Sequence, residues 1–295
     1  MHAWRRWAVV AAIAGVSVPV AAQQSGSEEL VALLTRVGAR IEQYFARAQS
    51  IVCDERVYIQ PLGLGYDLTA KGFDRELVYE LRITWDAAAN TNRPPEATVL
   101  RQIRTINGRK PKANEDPGCM DPKPVSPEPL SMLLAGRRER YTFSAAGIGR
   151  EGTRSAVMLD YKPRTRGGAE ITWRDDCVSV SLPDRTAGRV WADADTADVL
   201  RLDEHLVGLF EFPVPATHGP PTGPTFMVVE RADSSTRYRP VTFQNPDETL
   251  MLPSSIETLS FWRGAATPRI RTTQAFSNCR RFLTDGRIVE DPELR

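Results

Sequence analysis

The residues best suited to chemistry in this chain are Gly147-Ile148-Gly149-Arg150-Glu151-Gly152, the acidic positions that begin at Asp193, and the histidines His205 and His218. The glycine run matches G-x-G-x-x-G, whose backbone amides cradle a pyrophosphate when it leaves a strand and opens a helix. Here residues 153–161 continue as a strand pattern, so we read the run as a flexible turn. Asp193, Asp195, Asp198 and Glu204 are spaced partly like a calcium loop, but the sharp turn of such a loop falls on Asp198, where glycine is needed. A hairpin turn with solvated carboxylates is the simpler reading. Hydrolytic chemistry finds little support: His205 lies in a strand pattern and His218 in a Pro/Gly loop, without a G-x-S-x-G elbow, an H-E-x-x-H helix or a phosphate loop. Neighbouring carboxylates such as Asp54-Glu55 and Asp175-Asp176 would point to opposite faces of a strand, which spoils them as an acid and base couple. An enzyme, a hydrolase of unknown type, is therefore the third-ranked reading. Neither a cofactor nor a metal is expected.

Four cysteines, Cys53, Cys119, Cys177 and Cys279, form an even set with no C-x-x-C pair, which points to structural disulfides in an oxidising compartment. The residues alone leave three pairings open. That compartment is indicated independently by residues 1–22, where Arg5 and Arg6 precede an apolar run that ends in Val20-Ala21-Ala22. This is the order of a cleaved secretory signal, and the run is too short to span a bilayer as a helix. The expected mature chain, 23–295, is periplasmic or secreted and has no transmembrane anchor. Cleavage removes two arginines and no acid, leaving 36 Lys plus Arg against 37 Asp plus Glu. Such balance gives no case for nucleic acid. Hydrophobic content of 41% and charged content of 25% exclude disorder as the default state.

The elements that would position any site are mostly strands. Residues 25–48 read as one amphipathic helix, with Leu30, Leu34, Val37, Ile41, Tyr44 and Ala48 on a stripe and Ser25 with Glu28 as a capping box. Residues 73–86 alternate, placing Phe73, Leu77, Tyr79, Leu81, Ile83 and Trp85 on one face, as in a half-buried antiparallel strand. Strand-like runs follow at 53–60, 98–106, 156–162, 169–182, 189–205, 226–231, 237–244, 255–262 and 272–283, with a short helical segment at 130–137. The fold expected is mainly β (α+β) in one domain; a boundary near residue 115 is the alternative. One helix about 10–12 Å wide cannot cover a large sheet whose strands stand about 4.8 Å apart. The apolar face that includes Tyr79, Leu81, Ile83 and Trp85 is thus either packed core or the lining of a cavity for an apolar ligand.

The run Gly188-Arg189-Val190-Trp191-Ala192-Asp193, then Thr196 and Val199-Leu200-Arg201-Leu202, resembles a hairpin of the outer-membrane lipoprotein-sorting (LolA/RseB-like) superfamily. Residues 238–244, Leu252-Pro253 and Phe276-Ser277-Asn278-Cys279-Arg280-Arg281-Phe282 are similar to the C-terminal strands of exported proteins with that layout. The resemblance implies a curved antiparallel sheet, or half-barrel, of about eleven strands, with the N-terminal helix and one short internal helix on its concave face. It implies a non-enzymatic protein that binds a lipid, acyl chain or other apolar small molecule, or alternatively an envelope protein-interaction or sensor module with a packed core. If the first and last strands meet in such a sheet, it also implies the pairs Cys53 with Cys279 and Cys119 with Cys177.

Overall fold

The computed structural model describes residues 21–48, 51–63, 74–85, 97–112, 115, 128–174, 177–218, 223, 225–244, 247–265 and 269–281. Residues 1–20 of the expected signal segment, Phe73 and Cys119 lie outside them, and so does the side chain of Trp85. Helix α1 (Ala21–Arg47) buries Leu33, Leu34, Val37, Ile41, Tyr44 and Phe45, the stripe that its period of three to four residues places on one side. It starts earlier than the capping box implied, so Ser25 lies inside the helix. Its last turn is closed from outside: Arg281 Nη2 donates to the Arg47 carbonyl at 2.5 Å, satisfying an acceptor that the helix itself leaves unpaired.

Three meanders build one sheet. The first is β1 (Ile51–Pro61), β2 (Arg75–Trp85) and β3 (Ala97–Ile106). The second is β4 (Tyr141–Glu151), β5 (Arg154–Pro163), β8 (Thr186–Asp193) and β9 (Val199–Leu206). The third is β11 (Phe226–Phe243), β12 (Glu248–Arg263) and β13 (Arg269–Arg281). Between β5 and β8 stands a separate hairpin, β6 (Glu170–Arg174) with β7 (Cys177–Ser181), while β10 (Phe210–Pro213) pairs with the start of β11. The result is an antiparallel, curved sheet of 11 strands in the order β3-β2-β1-β13-β12-β11-β9-β8-β5-β4, with β10 beside β11. It does not close: β3 and β4 are its two edges.

Hairpins account for most of these pairings, but β1 with β13 joins segments from the two ends of the described chain. The disulfide Cys53–Cys279 locks that seam, at a point where the register of β1 on β13 slips between Val52 and Asp54. The pairing implied by the resemblance is thus present. Cys177 is also disulfide-bonded.

The main core lies between the sheet and α1, which is joined there by a 3₁₀ turn (Glu128–Leu133) and the short α2 (Ala135–Arg138). Leu130, Met132 and Leu133 of that turn are buried beside Val37 and Ile41 of the helix. A second buried group, Val57, Ile59, Leu77, Tyr79 and Ile106, lies along β1, β2 and β3.

Several expectations change. Residues 169–182 are the β6–β7 hairpin and not one strand, each arm being only five residues long. Residues 226–231 and 237–244 belong to the single 18-residue β11, because β9 and β12 take its two edges through Ser234–Arg237 and supply the pairing that a polar segment does not advertise. The run Gly147 to Gly152 is no flexible turn: Gly147 and Gly149 sit within β4 and only Gly152 enters the turn. Gly147, at φ 101°, occupies the bulge where β4 slips against β5. A Cβ on Gly149 would stand 2.7 Å from Cζ3 of Trp191, so the indole lies where any other residue would intrude. A Gly149→Ala substitution should displace Trp191 and cost about 1–3 kcal/mol, measured by urea denaturation. An unchanged midpoint would mean that the ring moves freely.

Candidate functional site

On the helix-covered face, Tyr44 of α1 meets Ile51, Cys53, Leu81, Ile83, Leu252, Pro253 and Phe276 from β1, β2, β12 and β13 around an apolar cavity of about 20 Å³. That volume holds about one water molecule. Leu81 and Ile83, two of the expected ligand residues, line this seam, and Leu81 is buried. Tyr79 stands apart in the second buried group, its ring covered by the guanidinium of Arg101 at 4.1 Å from the centroid.

The helix above the seam is held by polar contacts at its flanks. Arg40 Nε donates to the Thr196 carbonyl at 3.0 Å and lies 3.6 Å from Asp198. At the other end Arg281 bridges the Arg47 carbonyl and Glu248, at 2.5 Å each.

Beside the seam stands a charged pair that reading the sequence missed. Glu55 is fully buried, and Arg101 grips it through Nε to Oε2 at 2.8 Å and Nη2 to Oε1 at 2.7 Å. Gln274 Nε2 donates to Oε1 at 3.1 Å. Glu55 lies opposite Tyr79 and Arg101 opposite Leu81, so the guanidinium reaches diagonally over the Tyr79 ring and ties the edge strand β3 to β1 and β13. Its sequence signal is the phase: Ile51, Cys53, Glu55, Val57 and Ile59 alternate as one face, with a carboxylate in an apolar slot.

A second polar row crosses the main core. Tyr161, Gly188, Glu204 and Ser234 are register partners across β5, β8, β9 and β11. Only glycine fits in the middle, since a Cβ on Gly188 would stand 1.9 Å from the Asp203 carbonyl oxygen. The gap lets the Tyr161 hydroxyl donate to Glu204 Oε1 at 2.6 Å, joined by Thr186 Oγ1 at 3.3 Å and Ser234 Oγ at 3.4 Å. Burial raises the Glu204 carboxyl above its ordinary range, against these donors. The folded state therefore keeps the Glu204 proton to higher pH than the unfolded chain does, so this group favours folding on the acid side and loses that contribution as pH rises. Glu204→Gln should flatten the fall in stability as pH rises above the ordinary carboxylate pKa, as read from urea midpoints at successive pH values. Parallel profiles for the two proteins would remove Glu204 as the cause.

The Asp193 turn also differs from expectation. Asp193 is buried, not solvated: its Oδ1 accepts the amides of Asp195 at 3.0 Å and Thr196 at 2.8 Å, and Arg154 Nε lies 2.7 Å from Oδ2. Burial works against its ionisation, but the Thr196 amide and hydroxyl with Arg154 prevail and hold the carboxyl below its ordinary range. Such a turn consumes the carboxylate in shaping the hairpin. His205 lies on β9, whereas His218 stacks on Trp173 of the small hairpin at 5.0 Å between ring centroids. Among the described residues no three His, Cys, Asp or Glu side chains are grouped to hold a metal ion, and no helix is long and apolar enough to cross a membrane.

These features define an open antiparallel half-barrel with an amphipathic helix laid across an apolar seam. No protein-family model and no curated protein matches the chain. Among solved structures it is similar to a DUF1329 family protein from Desulfovibrio piger (10% identity, 87% of this chain and 94% of that one, TM-score 0.38). It is similar also to a LolA superfamily protein from Nitrosomonas europaea (9% identity, 85% and 95%, TM-score 0.32). A third is an outer membrane lipoprotein-sorting protein domain from Vibrio parahaemolyticus (8% identity, 86% and 94%, TM-score 0.39).

Proposed function

We propose that this is an exported, non-enzymatic binding protein that takes an apolar chain, a lipid or an acyl group, between α1 and the sheet. The observation that carries the reading is the seam itself: helix and strands meet along it through apolar side chains, Tyr44 above and Leu81, Ile83, Leu252 and Phe276 below. At about 20 Å³ it is the closed state. Loading requires α1 to swing away, released where Arg40 and Arg281 hold it. Enclosing some 300 Å² of acyl surface at about 25 cal/mol per Å² yields roughly 7 kcal/mol, from which the cost of moving the helix is drawn.

Native mass spectrometry of residues 23–295, purified from the periplasm of an expression host, tests this directly. A stoichiometric extra mass that extracts as lipid is expected, and Ile83→Trp, which fills the seam, should reduce it. A bare polypeptide that also fails to bind a fluorescent fatty acid would sink the reading. The second reading, a protein-interaction module, draws on the same small volume: an interior already packed leaves the open edges β3 and β4 as the surfaces available to a partner strand.

A further inference from the structure

The whole chain carries a formal net charge of only +1, yet basic residues gather at one end of the sheet. Antiparallel pairing brings the start of β4, the end of β5, the start of β8 and the end of β9 to that end: Tyr141 lies opposite Pro163, and Thr186 opposite Leu206. The segments that flank these strands are tied to one another. The Arg164 amide donates to the Arg140 carbonyl at 2.9 Å, Arg185 Nε to the Gly167 carbonyl at 3.0 Å, and the Val207 amide to the Arg185 carbonyl at 2.8 Å. On the joined segments, residues 135–140, 162–170 and 183–185, seven arginines and lysines stand against Glu139, Glu170 and Asp184. Asp184 screens little of that charge at the surface: its carboxylate is 8% exposed, accepts the Tyr141 hydroxyl at 2.6 Å and is paired with Arg140. Arg140, Lys162, Arg164 and Arg166 are exposed.

The distribution selects the partner. A small anion is held by donors that converge on one point. Here the cations follow three separate segments, an arrangement that rewards an extended array of negative charge. Beside them the turn after β9 puts an apolar side chain into solvent: Leu209 is 62% exposed. It adjoins Gly208, where an added Cβ would meet Arg166 Nη2 at 3.6 Å, and Phe210, whose ring lies 5.0 Å from the Arg185 guanidinium carbon. A soluble polyanion would satisfy the charges and leave Leu209 in water. The headgroup region of an anionic bilayer takes both, with the basic heads at the phosphates and the leucine at the acyl boundary.

We propose that this end of the sheet docks the protein on an anionic lipid bilayer. The docking is independent of what the seam beneath α1 holds, because none of these residues lines that seam. Co-sedimentation of residues 23–295 with vesicles of phosphatidylcholine, and with vesicles of an equal mixture of phosphatidylcholine and phosphatidylglycerol, tests it. Binding to the mixed vesicles alone is expected, fading as salt is raised. Arg164→Glu combined with Arg166→Glu should weaken it about tenfold or more, since each basic residue near such a surface adds to the attraction and its reversal repels. Leu209→Trp gives a second readout that does not depend on that variant: its added emission should shift to the blue on the mixed vesicles and not on phosphatidylcholine. No binding to the mixed vesicles, equal binding to both kinds, undiminished binding by the folded charge-reversed protein, an added indole that stays in water, or soluble polyglutamate bound in preference to the vesicles would each overturn the proposal.

Discussion

Replacing Arg101 by methionine is expected to destabilise the protein by about 3–5 kcal/mol, because it leaves the Glu55 carboxylate buried without its countercharge. Glu55 is fully buried and Arg101 is 6% exposed, so water cannot substitute for the lost guanidinium. The Gln274 amide would remain as a donor on Glu55 and soften the loss. The double variant Glu55→Leu with Arg101→Met should recover most of the stability, since a buried pair exchanged for apolar groups of similar volume is often neutral. Urea denaturation of the three proteins decides it. A single variant within about 1 kcal/mol of the parent would instead match a solvent-exposed pair. The pair also fixes β3: Arg101 is that edge strand's bidentate charged grip on β1, so hydrogen exchange along β3 should rise in the single variant and not in the double one.

Removing the Cys53–Cys279 disulfide, with both residues changed to alanine, is expected to cost about 2–5 kcal/mol. The bond closes a loop with a sequence separation of 226, and the stabilisation grows with loop length in the chain-entropy account. Here the loop runs from the first strand to the last, so the crosslink holds together the ends that β1 and β13 must bring into register. Oxidised wild type and the alanine variant should differ in urea midpoint, and the difference should vanish when both are unfolded and refolded in reductant, which opens the Cys177 disulfide in each. Equal midpoints would show that the β1–β13 ladder needs no crosslink. Cys53 also lines the apolar seam, so this variant is expected to take up a fluorescent fatty acid more readily if the seam is the binding site.

How far these features were legible depends on their range along the chain. The stripe of α1 and the alternation of β2 could be read directly, because each element buries one side and the period of burial is written into consecutive residues. The glycines of β4 misled for a related reason: Gly147 and Gly149 look like punctuation, yet one serves a bulge and the other makes room for Trp191 on another strand. Asp193 reads as solvated in the sequence because nothing local reports that Arg154, from a neighbouring hairpin, closes over it. Glu55 reads as half of an acidic pair with Asp54, although its position in the apolar phase of β1 is visible in the sequence. Its partner lies 46 residues away and is chosen by the register of three strands.

The sequence by itself determined the kinds of element and their buried faces, and the likeness of the residue 188–202 hairpin to a known family implied the class of sheet to expect. One-sided burial imposes a local period, and local periods survive in a string of residues. Only the tertiary structure decided that β1 lies against β13, that Leu81 and Ile83 face Tyr44 across a seam while Tyr79 lies under Arg101, and that Gly188 leaves room for Tyr161 to reach Glu204. Each of these follows from the register between segments far apart in the chain, where a shift of one residue turns every side chain to the opposite face.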